Sequence, residues 1–354
     1  MTRITTRKQA GLVALAAGTL VLSACGGSTG SSDSGDSSAS GGCASEEIFC
    51  VGLVTDLGKV DDKSFNQSAH DGVEAAIAQL GGESKVVETT DTKDYANNIK
   101  QFTDNDYDVV VTVGFLMQEA TVTAAQESPD THFIGVDQAQ SEELPNLTGL
   151  IFPEDQAGYA AGYLAALLSQ SNKIGMVLGQ EIPPVQKFAM GYQAGAAAAK
   201  PDVSVTSVYH PAGDNAFTDP AWGAAEAQKQ LDQGVDVLFG AGGKTGNGAL
   251  GQVAKAPAAG ESVYCIGVDT DQWETVTDAR KCLVTSAMKN ISVGVTEILT
   301  QVHDGTATGG NFVGTTGLAP YHDFDSTIPA DVKAKVQDVV TGLEDGSIQT
   351  GVTL

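Results

Sequence analysis

The sequence predicts an α/β protein of two similar lobes, each a parallel sheet covered by helices, and three observations carry that expectation. Short runs rich in β-branched residues alternate with helical stretches along most of the chain, the order that βαβ units and parallel sheets require. The runs are continuously apolar, as in strands covered on both faces. About 310 residues follow a Gly/Ser-rich N-terminal segment, enough for two domains of ordinary size.

The chain opens with a positive region, Arg3, Arg7 and Lys8, followed by an apolar stretch, Gly11 to Leu22. That stretch is too short to span a bilayer as a stable helix and reads as an export signal over residues 1–24. Leu22-Ser23-Ala24-Cys25 resembles the lipobox of bacterial lipoproteins, in which the leader is cut before the cysteine and the cysteine carries acyl lipid such as palmitate. Residues 25–45 are mostly Gly, Ser, Asp and Ala, which cannot bury enough apolar surface to repay ordering and suit a flexible tether. The expected product is an extracytoplasmic body anchored to the cell membrane through Cys25.

The first strand is Val51 to Val54, and Thr55 to Asp62 is read as the polar loop that ends it. From there Phe65, Ala69, Val73, Ala76, Ile77 and Leu80 fall at helical spacing, with Ser64 as the N-cap. Further strands are expected at Lys85 to Thr89, Asp108 to Val113, His132 to Val136, Ile174 to Leu178, Val203 to Tyr209, Asp236 to Phe239, Val263 to Val268 and Leu283 to Ala287. Helices are expected at Tyr95 to Thr103, Gln156 to Ser169, Val185 to Lys200, Pro220 to Gln233, Ile291 to Val302 and Ala330 to Leu343. The order changes beyond Leu283, as if the chain crossed back between lobes.

With Cys25 assigned to lipid, Cys43, Cys50, Cys265 and Cys282 remain, an even number in an oxidising compartment. They are disulfide candidates, and two sequence-local pairings suggest themselves: Cys43 with Cys50 at the first strand, and Cys265 with Cys282 between two late strands. The spacing is not that of zinc or redox sites.

The whole chain carries 19 Lys and Arg against 44 Asp and Glu, a net charge of −25. Residues 1–24 hold three of the basic residues and none of the acidic ones, so the mature chain stands at 16 minus 44, or −28. Such a surface repels phosphate backbones and gives no support to nucleic-acid binding.

Several strands end in chemistry. Gly135-Val136-Asp137-Gln138 and Gly267-Val268-Asp269-Thr270 both deliver an Asp at a strand's carboxyl end, where ligands bind in open α/β sheets, and Asp56 follows the first strand in the same way. Carboxylates suit the paired hydroxyls of a ribose or another polyol. Phe65, at the start of its helix beside Asp56, Asp61 and Asp62, reads as an aromatic platform beside polar hooks. The run Gly240 to Gly248 contains Gly243-Lys244-Thr245, but a P-loop needs a glycine where Leu238 stands. Its glycines instead suggest backbone that approaches a neutral ligand closely. The chain has no HExxH or GxSxG, its five histidines have no metal-ligand spacing, and the Asp56 to Asp62 loop lacks the EF-hand pattern. Neither a metal nor a cofactor is expected, and binding rather than enzymatic turnover is.

In sequence order the lipobox, DLGKVDDKSFNQSAHDG, GFLMQEA, GVDQ, FPEDQAGYAAGYLAAL, KFAMGYQAG, FTDPAWG, GAGGKTGNG, GVDTDQ and TSAMK resemble the basic membrane protein family of lipoproteins. Better understood members of that family resemble purine-nucleoside receptors of ABC importers. The resemblance covers essentially the whole mature chain. It implies a type I periplasmic-binding-protein fold, with two Rossmann-like lobes of parallel sheet joined by a hinge and closing on ligand. By that analogy the N-terminal lobe is 46–151 plus 285–307, and the C-terminal lobe 152–284 plus 308–354.

Carried over position by position, the resemblance implies that Phe65 and Phe188 sandwich the base, that Asn66 and Asp137 read its edge, and that Asp56, Gly242, Asp269 and Lys289 face the ribose. Met117, in a loop after a strand, is a further candidate for the wall. The implied partners are a purine nucleoside such as guanosine, inosine or adenosine, and an ABC permease with its ATPase; a monomer is expected. The chain departs from the commoner pattern at His70, where a larger aromatic often stands, and at Lys244 within the glycine run. The alternatives are a receptor for riboflavin or another solute, and a sensing or structural surface lipoprotein without a permease.

Overall fold

The computed structural model describes Cys43 and residues 48–354. The expected leader, the lipid-bearing Cys25 and, apart from Cys43, the tether lie outside the described residues.

Two six-stranded sheets form the body. The first contains β1 (Cys50–Leu57), β2 (Glu83–Thr89), β3 (Val109–Val113), β4 (His132–Val136), β5 (Leu147–Ile151) and, from late in the chain, β11 (Gly310–Val313). Its order is β11-β5-β4-β3-β1-β2 and all its pairings are parallel. The second contains β6 (Lys173–Leu178), β7 (Ser204–Tyr209), β8 (Val237–Ala241), β9 (Tyr264–Asp269), β10 (Leu283–Lys289) and β12 (Thr316–Leu318). Its order, β12-β10-β9-β8-β6-β7, repeats that of the first, except that β12 runs antiparallel to β10.

The sheets are buried on both faces because their strands carry β-branched residues at consecutive positions. In the first lobe Val51, Leu53, Val109, Val111, Ile134 and Val136 face one core layer with α1 (Phe65–Leu80) and α9 (Ile291–His303). Val54, Val110 and Phe133 face the other, with α2 (Tyr95–Thr103) and α3 (Gln118–Glu127). In the second lobe α4 (Glu154–Leu168), α5 (Pro183–Ala199) and α10 (Ala330–Glu344) cover one face. The other is covered by α6 (Pro220–Asp232) and α7 (Gly243–Val253), with the short α8 (Gln272–Thr275) beside it.

Helices α4 and α5 meet backbone to backbone. A Cβ on Gly162 would stand 1.9 Å from the Tyr192 carbonyl, and one on Gly158 would stand 2.3 Å from that of Phe188. Glycines on α4 thus set how closely the helix bearing Phe188 approaches.

The chain crosses between sheets three times: after Ile151, after Lys289 and after Val313. The crossings are tied together, since Asn290 N donates to Thr315 O at 3.0 Å, Asn290 Nδ2 to Thr315 Oγ1 at 2.8 Å, and Thr316 Oγ1 to Pro153 O at 3.5 Å. By sheet membership residues 285–289 stand with the second lobe, not the first, because β10 pairs with β9. Residues 308–313 stand with the first lobe, because β11 pairs with β5. The boundaries expected at 285 and 307 therefore move several residues along the chain.

Two local readings also change. The first strand runs on through Thr55 and Asp56 to Leu57, with a register irregularity after Val54 and with Thr55 Oγ1 accepting from Thr89 N at 3.0 Å. The glycine run passes into helix α7 from Gly243 on, and Gly248 serves helix packing, since a Cβ there would meet Pro220 O at 2.1 Å. Disulfides join Cys43 to Cys50 and Cys265 to Cys282.

Candidate functional site

Strand ends from both sheets line one cleft. Residues Asp56 and Leu57 come from the end of β1, Gly114 and Phe115 from the turn after β3, and Asp137 from the end of β4. Opposite them stand Ala241 at the end of β8, Gly242 and Gly243 after it, Val268 and Asp269 of β9, and Lys289 of β10. The start of α1 contributes Phe65 and Asn66, and the start of α5 contributes Pro184, Val185 and Phe188.

Eight of the nine binding residues named from the sequence therefore lie together: Asp56, Phe65, Asn66, Asp137, Phe188, Gly242, Asp269 and Lys289. Met117 does not join them. It is fully buried in the first-lobe core beside Tyr95, Phe102 and Phe133, because the single 3-10 turn Phe115–Met117 leads into α3 and carries it under the sheet. Phe115 of that turn lines the cleft in its place. Phe217 and Asp62 also line it; Asp62 is one of the loop carboxylates beside Phe65, and the one sequence signal for Phe217 is its place in FTDPAWG as an aromatic after a strand.

The cleft is rich in charge held away from water. Lys289 Nζ, on a residue 3% exposed, donates to Asp137 Oδ2 at 2.6 Å and lies 3.8 Å from Glu154 Oε1 and 4.0 Å from Asp269 Oδ1. It also lies 4.7 Å from the centre of the Phe65 ring and 5.7 Å from that of Phe188, within cation–π range. Burial by itself would lower the Lys289 pKa, but three surrounding carboxylates outweigh it and the pKa is raised. Burial pushes Asp56 up to about 6 against hydrogen bonds from the Tyr95 hydroxyl and Leu57 N. It likewise raises Asp269, against the opposing pull of Lys289 and Ser64.

Asp62 does the work expected of Ser64 at the start of α1. Its Oδ1 accepts from Ser64 N at 2.9 Å and Gln67 N at 3.1 Å, and its Oδ2 accepts from Asn66 N at 2.9 Å. Burial still raises its pKa to about 6, against those backbone donors. Ser64, freed from capping, donates from Oγ to Asp269 Oδ2 of the opposite lobe at 2.6 Å. The same loop meets the second lobe at three other places. Lys244 Nζ contacts Asp61 Oδ1 at 2.7 Å, Asn247 Nδ2 donates to Asp62 O at 2.7 Å, and Thr275 Oγ1 donates to Lys63 O at 2.9 Å. Asp61 and Lys244 are thus partners across the cleft.

Two buried acceptors on the lining have no hydrogen-bond partner: Asn66 Oδ1 and Asp137 Oδ1. A buried acceptor left unmade costs about 1 to 3 kcal/mol, so a ligand with N–H or O–H groups gains by reaching them. With Phe65, Phe115, Phe188 and Phe217 around them, the arrangement suits a flat ring carrying polar hydrogens. Among the described residues Asp271, Glu274 and His322, which lie close enough together to hold a cation, stand outside the cleft lining.

The description "ABC transporter substrate-binding protein PnrA-like" (Bmp) matches residues 49–319. Over 349 residues the chain is 30% identical to a "CD4+ T-cell-stimulating antigen" of Listeria innocua, covering 93% of this chain and 94% of that protein. It is 30% identical over 275 residues to the "ABC transporter nucleoside-binding protein BmpA" of Lactococcus lactis, covering 74% and 77%. It is also 32% identical over 252 residues to "Basic membrane protein A" of Borreliella burgdorferi, covering 71% of each. Among solved structures, a solute-binding protein of an ABC transporter system from Aeropyrum pernix superposes with a TM-score of 0.77 at 24% identity, over 85% of this chain and 92% of that one. That likeness establishes the type I periplasmic-binding fold.

Proposed function

Since the chain belongs to the Bmp family of PnrA-like ABC transporter substrate-binding proteins, an extracytoplasmic class that binds a small molecule for a permease, we propose that it captures a purine nucleoside in its inter-lobe cleft. Anchored through lipid on Cys25, it hands that nucleoside to an ABC permease driven by a cytoplasmic ATPase. It performs no chemistry on its cargo. The single observation that carries this reading is the convergence of Phe65 and Phe188 with strand-end carboxylates from both lobes in one cleft.

In this reading the base lies between Phe65 and Phe188, gaining apolar burial and roughly 0.5 to 1.5 kcal/mol of stacking per aromatic pair. Asn66 and Asp137 take the base edge. Asp56, Asp269 and Lys289 take the ribose, with Gly242 as bare backbone beside it. Four carboxylates, Asp56, Asp62, Asp137 and Asp269, against the single ammonium of Lys289 make the lining anionic, so a neutral nucleoside is favoured over its phosphorylated forms. The lactococcal relative's description as nucleoside-binding supports the same class.

Calorimetry of the tether-free body against guanosine, inosine, adenosine, their 5′-monophosphates, free bases, riboflavin and simple sugars tests the reading. Nucleosides are expected to bind at least a hundredfold more tightly than the monophosphates and sugars. Binding of sugars or riboflavin alone overturns it.

A further inference from the structure

Asn66 lines the cleft, and the orientation of its amide decides whether it offers the ligand a donor or an acceptor. The neighbouring side chain decides that orientation. Asn66 Nδ2 donates to Asp62 Oδ2 at 3.1 Å, while Asn66 Oδ1 is buried with no partner. A flipped amide would set Oδ1 against a carboxylate oxygen, acceptor against acceptor, with Nδ2 left over. Asp62 cannot adapt by turning, because Ser64 N, Gln67 N and Asn66 N hold both its oxygens and the residue is 3% exposed.

We infer that Asp62 is a positioning residue that locks Asn66 with its acceptor toward the ligand, and that the cleft thereby selects purine nucleosides whose ring edge presents N–H donors. The inference rests on the nucleoside reading above and deepens it. Asp137 reinforces the selection, since its Oδ2 is taken by Lys289 and its Oδ1 is a second buried acceptor without a partner. A 2-amino-6-oxopurine offers N1–H and the 2-amino group, two adjacent donors for two acceptors. A 6-aminopurine offers one amino donor beside N1, a lone pair, so one protein acceptor faces another. Guanosine is therefore the preferred ligand and adenosine the disfavoured one.

The test is the ratio of adenosine to guanosine Kd in the wild type and in Asp62→Asn, a nearly isosteric change. The amide introduced at position 62 can keep the Ser64 and Gln67 N–H bonds on its oxygen, at the loss of the bond from Asn66 N, and donate from its nitrogen to Asn66 Oδ1, turning Asn66 Nδ2 toward the ligand. The wild-type ratio is expected to be ten or more, and the variant ratio at least tenfold smaller. A role confined to stabilising the loop would weaken both ligands in parallel and leave the ratio unchanged, and that result overturns the inference. So does a wild-type ratio within threefold of one. Should Asp62→Asn fail to fold by circular dichroism, Asn66→Ala takes its place, with the ratio expected to fall at least fivefold; an unchanged ratio overturns the inference there as well. If the wild type binds no purine nucleoside at all, the nucleoside reading itself falls, and this inference with it.

Discussion

Lys244 Nζ stands 2.7 Å from Asp61 Oδ1, and the pair joins the first turn of α7 in one lobe to the loop ahead of α1 in the other. The Asp61 side chain is 66% exposed and that of Lys244 32%, so the attraction is worth at most about 1 kcal/mol. It matters because of its place on the rim, where this pair and the other hydrogen bonds of one short loop hold the lobes together.

Lys244→Ala is therefore expected to speed ligand release about two- to fivefold with little change in association, read by stopped-flow fluorescence. The effect should vanish in 1 M salt, and reversing both charges, Asp61→Lys with Lys244→Asp, should restore the slow release. Equal release rates at low salt would show that the rim pair does not bear on opening.

Phe65 and Phe188 should respond differently to truncation. Phe65 is half-buried at the mouth of α1, whereas Phe188 is 3% exposed and packs edge-on to Phe239 with ring centres 6.1 Å apart. Either change to Ala is expected to weaken nucleoside binding at least tenfold, about 1.4 kcal/mol. Only Phe188→Ala should also lower the ligand-free stability substantially, by about 3 kcal/mol or more. Calorimetry and urea unfolding separate the two effects.

Asp56 makes the empty protein sensitive to pH. Its carboxyl is raised from 3.8 to about 6 in the fold, so the folded state holds a proton that the unfolded chain has released. The stability this contributes is complete below pH 3.8 and is lost as pH rises through about 6. Relative to Asp56→Asn, the wild type should lose up to about 3 kcal/mol of unfolding free energy between pH 3.5 and 7.5. Parallel stability curves for the two proteins would contradict that sign.

Gly162→Ala tests the contact between α4 and α5. The added methyl would meet a backbone carbonyl at 1.9 Å, which no rotamer change relieves, so a loss of about 1 to 3 kcal/mol is expected. The same shift should carry Phe188 away from the cleft and weaken binding. An unchanged Kd would mean that α5 is seated by its other contacts.

Much of the fold was legible because the sheets are buried on both faces, and continuous runs such as Val109 to Val113 mark such strands plainly. What was missed has local causes. In β5, Leu147–Ile151, a central glycine breaks the apolar run, and β12 is three residues long. Helix α7 begins Gly-Lys-Thr-Gly-Asn-Gly, a composition with little helical preference of its own, and holds its form by packing on α6 and β8. Within the cleft, strand-end carboxylates could be read from position alone. Whether Phe115 or Met117 faces a ligand depends on a single 3-10 turn, which leaves no periodic trace. The role of Asp62 was hidden because its partners, Ser64 and Asn66, each looked complete without it.

The two sheets share one strand order, and matching elements supply matching groups. Asp137 and Asp269 both end a fourth strand in left-handed backbone, at φ 62° and 65°, and Phe65 and Phe188 both lie near the start of the helix after a first strand. The match is not complete. Asn66 follows Phe65 where Ala189 follows Phe188, and Lys289 ends β10 where Ile151 ends β5. In the nucleoside reading those two unmatched residues are the key's notch, giving an asymmetric molecule a single way to sit and hence a single face to show whatever takes it next.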